Sequence, residues 1–170
     1  YMCNAGDTLV HIYDSAEKKM KVITLSNAPT AGVFSSDLIA MRGGFKVEKG
    51  LLKHGDILYL YTDGIEESTR RVRDPMFQPK FVDVQVKKVN PKTGQEEVEY
   101  KTEEEKEEFG PERVSEIIEA VLNRRKYRLT KVENPKGDEV LEFDFTEGKG
   151  TIEETILALA TCEKVFRMYK

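Results

Sequence analysis

The chain has 170 residues, which is the size of about one domain. Its residues are 39% hydrophobic and 34% charged, a composition that supports a folded core and excludes fibrous or wholly disordered proteins. The formal net charge of −4 argues against general nucleic-acid binding, because such binding needs a concentrated basic surface.

The sequence shows no membrane segment and no export signal. No apolar run approaches the roughly 18 residues of a transmembrane helix. The start, Tyr1–Asn4, lacks the parts of a signal peptide and is typical of the middle of a strand. Cys3 and Cys162 are too few and too far apart for a disulfide framework or a zinc site, so we expect reduced, half-buried core thiols. These features predict a cytoplasmic domain.

Short apolar runs separated by turn residues predict an antiparallel sheet in the first part of the chain. Two of these runs, Leu9–Tyr13 and Met20–Leu25, flank a polar turn and predict a hairpin. A loop of small residues, 27–32, precedes another predicted strand around Met41–Val47. The run Ile57–Tyr61 consists of large apolar residues only, which predicts a strand covered on both faces.

A hairpin and a helix are predicted next. Phe81–Val86 alternates with period two and pairs in this prediction with Glu96–Tyr100, giving a hairpin with one polar face. The acidic stretch Glu103–Glu108 is predicted to be solvated. Pro111 opens a helix, because the apolar residues after it have helical spacing: Val114, Ile117, Ile118, Val121 and Leu122. The basic run Arg124–Arg128 is then typical of a solvated helix end.

A second hairpin and a last helix complete the predicted elements. The hairpin covers Leu129–Phe145 and turns at residues 134–138. Thr151–Glu154 has the capping-box pattern, which predicts the start of a helix. The apolar residues with helical spacing in that helix are Ile152, Ile156, Leu159, Ala160, Val165 and Phe166.

Asp63 and Gly64 follow the most hydrophobic predicted strand. A sheet would hold the Asp63 carboxylate rigidly, and glycine lets the backbone turn sharply beside an ion. Glu66 and Glu67 come directly after and would either enrich a site for a hard cation or begin a solvated loop. Taken alone, Asp-Gly is the commonest turn dipeptide, so without further context a plain turn is the favoured interpretation.

Several other segments occur with this turn in an order that is typical of a known protein family. Asn4-Ala5-Gly6-Asp7 is followed by a hairpin, by Pro29-Thr30-Ala31-Gly32, and by Gly55-Asp56 leading to Tyr61-Thr62-Asp63-Gly64. Phe109–Arg113 then opens a helix. In these segments the chain resembles the metal-dependent protein phosphatases, the protein phosphatase 2C superfamily, in its bacterial SpoIIE-like branch.

The resemblance implies an α+β fold, namely part of an α/β/β/α sandwich of antiparallel sheets flanked by helices. It implies two Mn²⁺ or Mg²⁺ ions in the complete domain, with Asp63 as a metal ligand and Gly64 permitting the turn around it. Carboxylate and water oxygens suit such ions, and a water bridging them can attack a phosphoryl group. Asn4, Gly6 and Gly32 are interpreted as scaffold residues. Asp7 departs from the histidine usual in the branch.

The other metal ligands of the family are missing from this pattern. Its first aspartates would precede Tyr1, and its last one has a poor counterpart in Glu153 and Glu154, which the capping box favours as a helix start. His11 and His54 have no partner at ligand or triad spacing and are interpreted as ordinary strand and turn residues. Cys3 lacks the neighbours of a catalytic thiol. We therefore expect a partial domain over residues 1–170 that holds no ion or one weakly bound ion and is inactive by itself.

The resemblance also implies a function and partners. The complete protein would be a serine/threonine protein phosphatase acting on a phosphorylated bacterial signalling protein such as an anti-sigma-factor antagonist. Residues 70–101 would be an inserted hairpin that serves either as a recognition flap or as decoration. The alternative is a catalytically inactive relative that binds a signalling partner. An exposed sheet edge in the partial domain would favour a homodimer.

Overall fold

The computed structural model describes residues 1–3, 9–26, 32–89, 96–132 and 139–168, and these residues form an α+β fold of small antiparallel sheets and three helices. The helices are α1 (Ser36–Met41), α2 (Gly110–Leu122) and α3 (Ile152–Met168). The strands are β1 (Met2–Cys3), β2 (Leu9–Asp14), β3 (Lys19–Thr24), β4 (Val47–Glu48), β5 (Ile57–Tyr59), β6 (Thr69–Arg71), β7 (Phe81–Val89), β8 (Glu96–Glu104), β9 (Lys106–Glu108), β10 (Lys126–Val132) and β11 (Glu139–Asp144).

A three-stranded sheet in the order β3-β2-β5 supports the candidate site. The predicted hairpin of β2 and β3 is confirmed, with Ile12 opposite Lys21. On its other side β2 pairs with β5, with Ile12 opposite Leu58. This sheet therefore places the end of β5 beside the middle of β2.

The prediction that residues 57–61 form a strand covered on both faces is wrong. The strand ends at Tyr59, and Leu58 and Leu60 are 40% and 70% exposed. Side chains alternate between the two sides of a strand, and Ile57, Tyr59 and Tyr61 lie on the side that packs against the core, whereas Leu58 and Leu60 lie on the other side. Tyr59 is buried there, with its hydroxyl 3.2 Å from Thr155 Oγ1 of α3.

The predicted strand around Met41–Val47 is also wrong, because its first part is helical. Helix α1 begins after Ser35, whose Oγ accepts a hydrogen bond from Leu38 N at 3.4 Å. It ends at Met41 and is followed by Gly43 and Gly44, whose φ angles of 94° and 70° lie in the left-handed region that glycine favours. Of the predicted strand only Val47 is in an extended element, the short strand β4, which pairs with β1.

The core lies between α2, α3 and the hairpin of β10 and β11. The helix predicted after Pro111 is confirmed, and Val114, Ile117, Ile118 and Val121 are buried as its periodicity predicts. The prediction for α3 is correct for Leu159 and Phe166 but wrong for Ile152 and Ile156, which are exposed. The buried face of α3 is shifted because the residues that meet α2 and its neighbours are Thr155, Ala158, Leu159, Cys162 and Phe166.

The capping box at the start of α3 is confirmed. Thr151 Oγ1 accepts a hydrogen bond from Glu154 N at 3.3 Å, and the Glu154 carboxylate accepts one from Thr151 N at 3.2 Å. The two sulfhydryl groups have different surroundings. Cys162 is fully buried, which raises its pKa to about 12, whereas Cys3 is exposed instead of half-buried as predicted.

Strands β7 and β8 form a long two-stranded ribbon, as the hairpin prediction requires. The prediction of one polar face is wrong, because apolar side chains occur on both faces and stay exposed, such as Phe81 at 61% and Val84 at 39%. In the predicted solvated acidic stretch, Glu107 forms ion pairs with Arg70 and Arg113. None of the helices in the described ranges is long and apolar enough to span a membrane.

Candidate functional site

The candidate site is the Asp63 turn, residues 63–67, which follows β5. The turn is closed by a hydrogen bond from Glu67 N to the Asp63 carbonyl oxygen at 2.9 Å. The Asp63 and Gly64 residues are exposed. Among the described residues, nothing donates a hydrogen bond to the Asp63 carboxylate or forms an ion pair with it, so its oxygens are available to a ligand from solution.

The Asp63 turn is anchored through Glu66 to a partly buried cluster of polar side chains, which we call the His11 cluster (His11, Tyr61, Glu66 and Ser115). His11 is 1% exposed. Its Nε2 lies 3.1 Å from Glu66 Oε1 and 2.6 Å from the Tyr61 hydroxyl, and its Nδ1 lies 3.3 Å from Ser115 Oγ. The Tyr61 hydroxyl also donates to Glu66. The cluster therefore connects β2, the Asp63 turn and α2.

A neutral imidazole satisfies the hydrogen bonds of the His11 cluster. Burial lowers the pKa of His11, although the Glu66 carboxylate acts in the opposite direction. With the proton on Nε2, His11 donates toward Tyr61 and Glu66, and its Nδ1 accepts from the Ser115 hydroxyl. The Glu66 carboxylate is the final acceptor, which suits its partly exposed position.

Further hydrogen bonds connect the end of the Asp63 turn and the adjacent Ser68 to the start of α2 and to α3. Gly110 N donates to the Glu66 carbonyl oxygen at 2.9 Å, and Phe109 N donates to the Ser68 carbonyl oxygen at 2.8 Å. The Ser68 hydroxyl donates to Glu163 of α3 at 2.6 Å. The exposed Asp63 carboxylate thus projects from a turn whose other end is held by the protein core.

His11 lies in a strand, as predicted, but its side chain has partners that ligand or triad spacing does not show. Its partners Glu66 and Ser115 are separated from it by 55 and 104 residues in the chain, so motif spacing could not reveal them. The signal available in the sequence was a histidine within the otherwise apolar run of β2. His54 lies in a turn, as predicted, where its carbonyl oxygen accepts a hydrogen bond from Ser15 Oγ at 3.3 Å.

Among the described residues, Glu153 and Glu154 do not form with Asp63 a group that could hold a metal ion. Glu154 accepts hydrogen bonds from the backbone nitrogens of Lys149, Gly150 and Thr151, and Glu153 lies in the first turn of α3. Gly32 lies in a turn with φ of 81°. Asn4 and Gly6 lie outside the described residues, as does Asp7.

A two-ion centre does not fit the residues that surround Asp63. Among the described residues, no group of three or more histidine, cysteine, aspartate or glutamate side chains could hold a metal ion. Asp63 alone supplies one carboxylate, whereas hard divalent cations take several oxygen ligands. Any such centre would need carboxylates in addition to those that the structure places here.

The burial of His11 predicts a pH dependence of stability. In the unfolded chain His11 takes up its proton near the ordinary pKa of about 6.5, whereas in the folded chain its pKa is lower. The unfolded state therefore binds more protons below about pH 6.5, and the free energy of unfolding is expected to fall as the pH decreases.

Urea unfolding of the wild type and of His11→Gln at pH 7, 6 and 5 measures this contribution. We expect the wild type to lose more stability over this range than His11→Gln. His54→Gln serves as the control, because His54 is exposed and its replacement should leave the pH dependence unchanged. Equal pH dependence in the wild type and His11→Gln would contradict the interpretation.

Comparison of the chain with protein-family models, with curated proteins and with solved structures gave no match.

Proposed function

We propose that this chain is part of a metal-dependent serine/threonine protein phosphatase of the SpoIIE-like branch, acting on a phosphorylated bacterial signalling protein. The observation that carries the proposal is the position of Asp63. Its carboxylate is exposed and without a described partner, and it follows a sheet strand in a turn anchored by Glu66. That is the arrangement that the resemblance implies for a metal ligand.

The order of the elements also supports the proposal. The hairpin of β2 and β3 precedes β5, and residues 60–62 connect β5 to the Asp63 turn. Phe109–Arg113 then contains the start of α2, where the resemblance implies a helix. Since Asp63 is the one residue that the resemblance matches to a metal ligand, with only a poor counterpart in Glu153 and Glu154, we infer that residues 1–170 alone are inactive or nearly so.

A second function, a catalytically inactive module that binds a signalling partner, is favoured by an apolar surface beside β5. Leu58 and Leu60 of the β5 segment and Ile152 and Ile156 of α3 are exposed and line one groove of about 390 Å³. Exposed apolar surfaces of this kind often mark protein contacts. Neither Mn²⁺ nor phosphate chemistry is needed for this function.

Phosphate release from a phosphoserine protein separates the two functions. The full-length natural protein and residues 1–170 are compared with and without Mn²⁺, with folding checked by circular dichroism. The phosphatase proposal expects Mn²⁺-dependent release by the full-length protein and little or none by residues 1–170. A folded full-length protein without turnover would overturn it in favour of the binding module.

A further inference from the structure

A basic cleft lies where β6, β9, α2 and β10 meet, next to the base of the ribbon. Its volume is about 390 Å³, within the range of ligand sites in proteins. Six basic side chains line it against two carboxylates, those of Glu105 and Glu107. The basic residues are Arg70, Arg73, Lys80, Lys106, Arg113 and Lys131. This local excess of positive charge contrasts with the formal net charge of −4 for the whole chain.

Two of these arginines are fixed in place by a single carboxylate. Glu107 Oε2 accepts from Arg70 Nε at 2.8 Å, and Glu107 Oε1 accepts from Arg113. Arg70 Nη2 also donates to the Thr130 carbonyl oxygen at 2.7 Å. Both guanidinium groups lie against the ring of Phe166, with their Cζ atoms 4.5 and 5.1 Å from its centroid. The arginines are therefore held before any ligand binds.

Several basic side chains of the cleft have hydrogen-bond donors without a partner among the described residues. Arg70 is 7% exposed, and its Nη1 has no hydrogen-bond partner among the described residues. A buried donor without an acceptor is unfavourable. Within the same described ranges, the side chains of Arg73, Lys80 and Lys106 form neither an ion pair nor a hydrogen bond. An oxyanion in the cleft would supply acceptors to the side chains of Arg73, Lys80 and Lys106.

The chemistry of the cleft favours phosphate attached to a protein. Guanidinium groups match phosphate oxygens in geometry and charge, and arginine clusters are a recurring means of recognising phosphorylated peptides. Single-stranded nucleic acids are usually held by stacking of their bases on aromatic rings. Among the described residues that line the cleft, none is aromatic.

We propose that the basic cleft binds the phosphate group of a phosphorylated protein segment. This inference rests on the proposed function, because it names where the phosphoprotein substrate docks. The cleft and Asp63 are distinct sets of side chains, so binding can be measured without turnover.

Fluorescence anisotropy tests the proposal, with the full-length protein in EDTA so that phosphate is not released. The probe is a labelled peptide pool with a fixed central phosphoserine, compared with the same pool carrying serine. Inorganic phosphate and an oligothymidine strand are tested as competitors. We expect the phosphorylated pool to bind at least about tenfold more tightly than the serine pool and than either competitor.

The double variant Arg73→Gln, Lys80→Gln tests the cleft itself. Its two side chains have no described partners to lose, and we expect it to weaken binding of the phosphorylated pool about tenfold or more. Arg125→Gln is the matched control, because Arg125 is an exposed arginine that does not line the cleft, and it should leave binding unchanged.

Several results would overturn the proposal. These are equal binding of the two peptide pools, displacement by inorganic phosphate or oligothymidine as effective as by the phosphorylated pool, or a double variant that binds like the wild type. If the full-length protein released phosphate with Mn²⁺ but bound both peptide pools equally, this inference would be wrong and the proposed function would stand. If the full-length protein bound the phosphorylated pool selectively but released no phosphate, the binding role of the cleft would stand and the phosphatase proposal would be wrong.

Discussion

Replacing Asp63 with asparagine in the full-length protein is expected to lower Mn²⁺-dependent phosphate release at least about a hundredfold, or roughly 3 kcal/mol of transition-state stabilisation. Asparagine keeps the shape of the side chain and removes the negative charge that a divalent cation would require from it. The fold should be preserved, because the Asp63 side chain is exposed and makes no contact that its amide would lose among the described residues.

Asp37→Asn is the control for this experiment. Asp37 lies in the first turn of α1, where its exposed side chain likewise has no partner in the described part of the chain. We expect this variant to release phosphate at the wild-type rate. If Asp63→Asn kept more than about a tenth of the wild-type rate, Asp63 would not be a ligand in the working enzyme, and the proposed function would lose the observation that carries it.

Replacing Phe166 with alanine is expected to have the largest effect on stability, a loss of about 3–5 kcal/mol in the free energy of unfolding. Phe166 is fully buried. Its ring packs edge to face on Phe109, with centroids 5.3 Å apart and an interplanar angle of 73°. The guanidinium groups of Arg70 and Arg113 contact the same ring. Alanine would therefore remove the contacts of this ring with Phe109 and with both arginines.

Urea denaturation followed by circular dichroism measures this loss. Met168→Ala provides the comparison on the same helix, because Met168 is 69% exposed and its removal should change the free energy of unfolding by less than about 0.5 kcal/mol. A loss below about 1 kcal/mol in Phe166→Ala would show that the packing between α3 and the arginines contributes little to the fold.

Elements with strong local signals could be predicted from the sequence. Helix α2 has its apolar residues at helical spacing, the start of α3 has a complete capping box, and each long hairpin has two strand-forming runs. These patterns depend on residues within a few positions of each other. The α+β class could be predicted for the same reason.

Features that depend on distant residues could not be predicted. The exposure of Leu58 and Leu60 depends on whether another element packs over their side of β5, which the run of apolar residues does not reveal. The pairing of His11 with Glu66 and Ser115 appears only after β2, the Asp63 turn and α2 are packed together. Helix α1 was missed because it is short and is defined by its Ser35 cap and terminal glycines rather than by periodicity.

The ribbon has a consequence for how the chain opens. Strands β7 and β8 pair with each other, and in the described ranges no further strand pairs with either of them. Nearly all of their described side chains are exposed, so opening the ribbon would uncover little apolar surface. Its amide protons should therefore exchange with solvent through local opening, at a lower free energy than the amides of α2. Two free energies, one for the ribbon and one for the helical core, would then describe the stability of this one chain.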